Sequence, residues 1–385
     1  VAYQLPAGGR RREAPDHEPP RGVLLMRGAA PDAVLDAVQS GDPLPGTGGF
    51  AGELPDGRLA RDVLGRRLCY VDGDEWSHDP RDLAAPTLLP AGHVRAPGAT
   101  GSGRPVWSLP EPAPTGDEPV ERVRDAVAGA LGGVPAGDDL AVAFSGGVDS
   151  ALAAAALDAP LYVVGYADSS DIAAARESAA AMGRADDLRV HEVTLADIEA
   201  AVPTVARAIG RTNAMAVQIA LPLFLVAARA AADGYSRLVV GQGADELFGG
   251  YAKVAKAPTD PRTDADTVRG ARRETVQSLP AQLERDLRAL RAAGVEPVTP
   301  LLHDDVVRAA LALPGEWLVS GDTRKRALRE AARSWLPDAV ADRDKKAVQY
   351  GSLVAREVDR LARQAGFKRR MDDHVTQYVE ARIEE

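Results

Sequence analysis

The sequence predicts an α/β protein, a parallel sheet with flanking helices preceded by a small β-rich unit, and three observations carry that expectation. After residue 119, short apolar runs alternate with segments of helical period, the pattern of strand–helix–strand crossovers. Before residue 95 the apolar runs are short and separated by Gly, Pro and Asp. Between them, residues 95–119 concentrate Gly and Pro, which disfavour helix interiors and central strands alike.

A chain of 385 residues with a hydrophobic share of 45% is long enough for two domains, each with a core. The expected division is a disordered extension over 1–22, a β-rich unit over 23–94, a linker over 95–119 and an α/β domain over 120–385. The β-rich unit is read from Gly49-Phe50-Ala51-Gly52, Leu68-Cys69-Tyr70-Val71 and Leu88-Leu89-Pro90-Ala91-Gly92. In the second unit Val120, Val123, Val127 and Leu131 recur at helical spacing before the apolar run 140–144. A helix over 151–157, a strand over 161–166, a helix over 172–182 and a strand over 188–193 follow. A helix running through Ala232, a strand over 238–240 and a helical C-terminal third complete the expectation.

Several function classes are excluded at this level. A net charge of −10 leaves no basic footprint for nucleic acid. Cys69 is the only cysteine, so an intramolecular disulfide or multi-cysteine zinc site is ruled out, and a reducing cytoplasm fits. The first 22 residues lack the apolar core of a secretory signal. The longest apolar stretch, 214–228, is interrupted by Gln218 and Pro222, is too short to span a bilayer and reads as a buried helix, so no membrane partner is expected.

Chemistry concentrates in two segments. The strand before Phe144 runs into Ser145-Gly146-Gly147-Val148-Asp149-Ser150 and then a helix. Glycines permit a tight turn with amides pointing outward, and a helix N-terminus adds positive potential, so the loop suits a phosphate group. The lysine of a Walker A loop is missing. Asp149 at its mouth would repel phosphate unless a divalent cation such as Mg²⁺ bridges them. The plainer alternative is a glycine turn capped by Ser145. The second segment, Gly241-Gln242-Gly243-Ala244-Asp245-Glu246-Leu247-Phe248-Gly249-Gly250-Tyr251, follows a later strand. Ligands of open α/β sheets bind beyond the carboxyl ends of strands, so the two loops should lie side by side, with Asp149 and Asp245 sharing a metal. Alone, Asp245-Glu246 would be a solvated acidic turn.

These two motifs together, about 100 residues apart, resemble those of the asparagine synthetases and related amidoligases of the PP-loop ATP pyrophosphatase superfamily. There they read SGGxDSS and GEGADELFGGY, and the resemblance covers most of residues 105–352. Ser169-Ser170-Asp171-Ile172 is similar to the segment that lies over the nucleotide. Thr299-Pro300-Leu301-Leu302-His303-Asp304 is similar to R-x-P-F-L-D without its Arg and Phe. Lys325-Arg326-Ala327-Leu328-Arg329 matches K-x-x-L-R, and Arg343-Asp344-Lys345 matches the R-x-K that supplies a catalytic lysine. The resemblance implies a PP-loop (adenine nucleotide α-hydrolase-like) fold and ATP with Mg²⁺ as cofactors. Catalytic roles fall to Lys345, Asp149 and Asp245, and the metal to Asp149 and Asp245. Ser145, Gly146, Gly147, Val148, Asp149, Ser150, Asp171, Gly241, Gln242 and Gly243 are implied at the nucleotide.

Two departures matter. Gln242 replaces the family Glu that is thought to receive or deprotonate the attacking amine, and an amide cannot serve as a base. The segment from Ala60 to Tyr70 looks like R-D-x-L-G-x-x-P-L-Y-Y, and Leu89-Pro90-Ala91-Gly92-His93 like L-P-P-G-H, of a class II glutamine amidotransferase (Ntn-like) domain. Yet Val1 is followed by Ala2, and Met26 by Arg27, so the expected reading is a shortened, glutaminase-dead relic. The reaction implied is adenylation of a carboxylate, aspartate being favoured, followed by transfer of ammonia. An amidoligase on another acid (β-lactam-synthetase-like), tRNA sulfur transfer and a non-catalytic nucleotide-binding protein are the alternatives. A separate glutaminase or ammonia source and a homodimer remain open.

Overall fold

The computed structural model describes residues 26–257, 259–343 and 348–384. The extension expected over 1–22 lies outside them, as does Lys345.

The N-terminal region begins with α1 (Pro31–Ser40), which the sequence reading did not anticipate, and continues in short strands: β1 (Ala51–Glu53), β2 (Leu59–Arg61), β3 (Tyr70–Asp72), β4 (Glu75–Ser77), β5 (Thr87–Leu88), β6 (His93–Arg95) and β7 (Arg104–Pro105). They form two antiparallel sheets, ordered β1-β2-β6-β7 and β4-β3-β5. Ala51, Leu59, Cys69, Val71 and Leu89 make a small core of their own. Val34, Phe50, Leu54, Leu64 and Trp107, by contrast, belong to the same apolar cluster as the α/β region. Trp107 sits in the stretch expected as a linker; its ring meets Phe50 edge-on at 5.5 Å and its Nε1 donates to the Ala37 carbonyl.

The α/β region starts with α2 (Pro119–Gly132), β8 (Leu140–Ala143), α3 (Val148–Ala156), β9 (Leu161–Tyr166), α4 (Ser170–Ala181) and β10 (Leu188–Val193). It continues through α5 (Leu195–Ile209), α6 (Ala214–Ala232), β11 (Arg237–Val239), α7 (Ala244–Phe248), α8 (Ala252–Ala255), α9 (Val268–Gln277), α10 (Leu279–Ala292) and β12 (Glu296–Val298). Five strands pair in parallel in the order β10-β9-β8-β11-β12. The chain therefore builds outward from β8 in one direction, then returns to the other side of β8 with β11. The crevice between the ends of β8 and β11 is the topological switch point, where sheets of this kind bind ligands.

Side chains alternate across the sheet because strand geometry has a period of two. Val142, Leu161, Val163 and Val239 face one apolar cluster with Ala151 of α3 and Ile172 of α4. Ala141, Tyr162, Val164 and Leu238 face the other, with Ile198 of α5 and Leu221 of α6. Burial on both faces explains why these strands read as continuous apolar runs. Helix α6 is 19 residues long, beyond the apolar stretch expected, and by length and composition it could cross a membrane; 61% of its apolar window is buried inside the protein.

The C-terminal third is not wholly helical, which corrects the sequence expectation. After α11 (Asp304–Leu311) and α12 (Gly315–Leu318) comes a hairpin of β13 (Val319–Ser320) and β14 (Thr323–Arg324). Helices α13 (Arg326–Ala332), α14 (Asp338–Ala341), α15 (Val348–Gly351), α16 (Val354–Gln364) and α17 (His374–Glu384) follow. The strand missed in the main sheet, β12, contains Pro297, which argues against a central strand. It is tolerated because β12 lies at the sheet edge and pairs with β11 alone.

Candidate functional site

The first loop is shaped by two glycines and held by two serines. Gly146 has φ +75, and a Cβ there would sit 2.4 Å from the Ala174 carbonyl oxygen of α4, so both conformation and space require glycine. Ser150 is buried, and its hydroxyl accepts from the Ser145 amide at 3.2 Å and donates to the Gly147 carbonyl at 3.1 Å. The Ser178 hydroxyl donates to the Gly146 carbonyl at 2.8 Å, tying the loop to α4. Ser150 therefore staples the loop. Gly147 caps α3 without a side-chain bond, so no capping side chain takes up the first-turn amides around Val148 and Asp149.

The second loop leaves β11, directly beside β8, and meets the first. A Cβ on Gly241 would lie 2.9 Å from the Asp149 Cβ, so the loops touch backbone to side chain. Gly243 has φ +93 and carries Leu302 packed over its Cα. Gly250 makes room for the Asp245 carboxylate, since a Cβ there would stand 1.9 Å from Asp245 Oδ1 and 2.5 Å from Lys325 Cε.

Convergence of Asp149 and Asp245 is realised, and Lys325 stands between them. Lys325 Nζ lies 2.6 Å from Asp149 Oδ2 and 2.7 Å from Asp245 Oδ1. The lysine is 7% exposed and adopts φ +58, a left-handed conformation disfavoured for any residue with a Cβ. Burial works to lower its pKa, but the two carboxylates outweigh burial and hold it above the ordinary lysine range. Next door, burial and the Asp245 charge push Glu246 up to about 7, and Tyr251 donates its hydroxyl to Glu246 Oε1 at 2.6 Å.

A divalent cation fits this donor set. Asp149 Oδ1 is a buried carboxylate oxygen without a hydrogen-bond partner among the described residues. Among the described residues no group of three or more His, Cys, Asp or Glu side chains is placed to hold a metal, so phosphate oxygens would have to complete the coordination, as Mg²⁺ commonly requires.

Asp171 and Gln242 are both held by other parts of the chain. Asp171 is 3% exposed and packs on Gly351 of α15, where a Cβ would stand 2.1 Å from its Oδ1; the Ser170 hydroxyl donates to the Gly351 carbonyl. Asp171 thus positions the segment beneath α15. Gln242 Nε2 donates to Asp286 Oδ2 at 2.8 Å, and Arg285 holds the other Asp286 oxygen at 2.6 Å. The residue underused in the sequence reading is Lys325. The signal was present: three of only six lysines fall at 325, 345 and 346.

Comparison with known proteins accords with this geometry. The sequence model of the asparagine synthase family matches residues 121–278 and 253–381. “Putative asparagine synthetase (glutamine-hydrolyzing) 1” of Methanocaldococcus jannaschii is 30% identical over 269 residues, covering 60% of this chain and 49% of that protein. Asparagine synthetase B (glutamine-hydrolyzing) of Escherichia coli is 28% identical over 194 residues, 49% of this chain and 34% of its own length. The asparagine synthetase (glutamine-hydrolyzing) of Brassica oleracea is 25% identical over 337 residues, 76% of this chain and 55% of its own. The chain thus spans between a third and about half the length of these relatives. With the matched region taking in both loops, Lys325 and most of the chain, this protein belongs to the asparagine synthase family.

Proposed function

We propose that the chain is an ATP-dependent, AMP-forming carbon–nitrogen ligase of the asparagine synthetase type. The observation that carries the reading is the meeting of a Walker-lysine-free phosphate loop with Asp149, Asp245 and Lys325 at the switch point of the sheet. The substrate carboxylate, aspartate by family preference, attacks the α-phosphorus of ATP; the α–β bridging bond breaks and pyrophosphate leaves onto the amides of residues 145–150. Ammonia then attacks the acyl carbon, loses a proton and expels AMP. Mg²⁺, when bound, offsets phosphate charge at Asp149 and Asp245. Lys325 keeps those carboxylates apart and oriented, a fixed positive charge that needs no reorganisation during the reaction. Lys345 is proposed, by its match to the family R-x-K, as the second positive charge.

Residues 23–94 are read as a class II glutamine amidotransferase-like unit, and residues 120–385 as the ATP-binding α/β domain. Ammonia, free or from a partner, is the proposed nitrogen source, and the cytoplasm the proposed compartment, consistent with the buried thiol. Gln242 favours one second reading, an amidoligase acting on a different acid, because an amide replaces the carboxylate of the family motif. Acid-dependent ATP–pyrophosphate exchange across a panel of carboxylates with Mg²⁺ separates the two. Aspartate should give the fastest exchange. Exchange with another acid alone would favour the second reading, and none with any acid would overturn both.

A further inference from the structure

The N-terminal unit reaches the segment at residues 302–304 through buried polar contacts. Arg66 has no exposed side-chain surface; its Nε donates to Asp62 Oδ1 at 2.8 Å, and its Nη1 donates to Asp304 Oδ1 and to the Leu302 carbonyl, both at 2.7 Å. Asp62 is fixed in turn by the amides of Leu64 and Arg66. Asp304 is gripped from the same side, its Oδ2 accepting from the Thr47 amide at 2.7 Å and its own amide donating to the Thr47 carbonyl at 2.9 Å. Arg67 adds a contact to Glu296, at the start of β12.

The clamped segment, residues 302–304, is what supports the second loop. Leu302 is wholly buried, and its Cδ2 lies only 2.3 Å from where a Cβ on Gly243 would stand. Strand β12 leads into this segment, and the Val240 amide at the root of the loop donates to the Val298 carbonyl at 3.0 Å. Asp245 follows Gly243 by two residues. A buried Arg–carboxylate triad adds little net stability over a well-packed apolar substitute, whereas its directional bonds admit one register. We infer that the N-terminal unit braces the Gln242–Asp245 loop, with Arg66 and Leu302 as positioning residues for Asp245. The brace rests on the ligase reading only for its activity readout.

Two variants of the full chain test it. Arg66→Lys keeps the charge balance but cannot fork to Asp62, Asp304 and the Leu302 carbonyl together. Leu302→Val removes the atoms resting on Gly243 without altering the N-terminal unit. Amide hydrogen exchange of residues 241–248 should quicken by about tenfold or more in both variants, while residues 140–143 and 161–166 change by less than about twofold. The Mg²⁺ concentration for half-maximal ATP–pyrophosphate exchange should rise by about tenfold, with the KM for the carboxylate unchanged. Unchanged amide exchange at 241–248, or quickening spread evenly over the sheet, would overturn the brace. Should Arg66→Lys fail to fold, Leu302→Val decides by the same criteria. A parent chain without pyrophosphate exchange would defeat the ligase reading, while the amide measurement would still judge the brace.

Discussion

The two loops of the crevice are held in opposite ways. The backbone of the first, residues 145–150, is held largely by near neighbours: Ser150 staples Ser145 and Gly147 within six residues and Ser178 reaches in from α4, while the Asp149 carboxylate alone is taken by the remote Lys325. The second, residues 241–251, depends on distant parts of the chain. Gly241 leans on Asp149, Gly243 on Leu302, Gln242 on Asp286 and Asp245 on Lys325. A locally determined loop can be read from a short motif, whereas one held by remote contacts shows its glycines in sequence but hides what those glycines accommodate.

Lys325 is where the two loops meet, so its removal should have the largest effect. Lys325→Met removes the ammonium that Asp149 and Asp245 share; turnover should fall by about 10³-fold and folding stability by about 2 kcal/mol or more. Steady-state rates and chemical denaturation measure both, and added Mg²⁺ should restore part of the lost stability. Substituting the aspartates sharpens the contrast. Asp149, on the locally held loop, has a side chain 13% exposed, against 46% for Asp245. Asp149→Asn should lower Mg²⁺-dependent turnover by about 100-fold and Asp245→Asn by about tenfold, because the more buried charge is the less screened. Equal effects would erase the distinction.

Glycine replacements probe the loops by shape. Gly146→Ala must accept both positive φ and a contact of 2.4 Å with backbone, and should cost at least about 2 kcal/mol. Gly241→Ala meets no positive φ, only the Asp149 Cβ at 2.9 Å and the backbone of Asp149 and Ser150 at 3.3 and 3.4 Å, so about 1 kcal/mol is expected, with most of its effect on metal dependence. Thermal denaturation beside Mg²⁺ titration separates the two. The smallest effect belongs to Cys69. Burial pushes its thiol from 9.0 up to about 12, so stability from this group is fully present below pH 9 and lost as pH rises toward 12. Alkylation of the folded protein should stay slow between pH 7 and pH 9.5, and Cys69→Ser should leave ammonium-dependent synthesis nearly unchanged.

Much of this arrangement was legible. The strand over 161–166 announces itself as an apolar run because helices cover both faces of the sheet, whereas 188–193 mixes Leu, Val and Val with Arg, His and Glu, as a partly exposed edge strand can. The meeting of Asp149 and Asp245 follows because loops leaving the carboxyl ends of parallel strands gather on one side of the sheet. Lys325 between them did not follow, because a lysine of α13's N-terminus reaches the crevice only through tertiary packing and a left-handed backbone that no local propensity signals. The burial of Asp171 against Gly351 and the hydrogen bond from Gln242 to Asp286 were hidden for the same reason. Strand β12 was hidden by Pro297, harmless only at an edge that the sequence does not reveal.

The bond of ATP that is broken is the most direct test of the ligase chemistry. With Mg²⁺, ammonium and aspartate, or whichever carboxylate supports exchange, the products of ATP should be AMP and pyrophosphate in equal amounts, each matched by one amide formed. Carboxylate-dependent release of ADP and phosphate would contradict it, since a loop that grips the β- and γ-phosphates as a leaving group has no place in such a reaction.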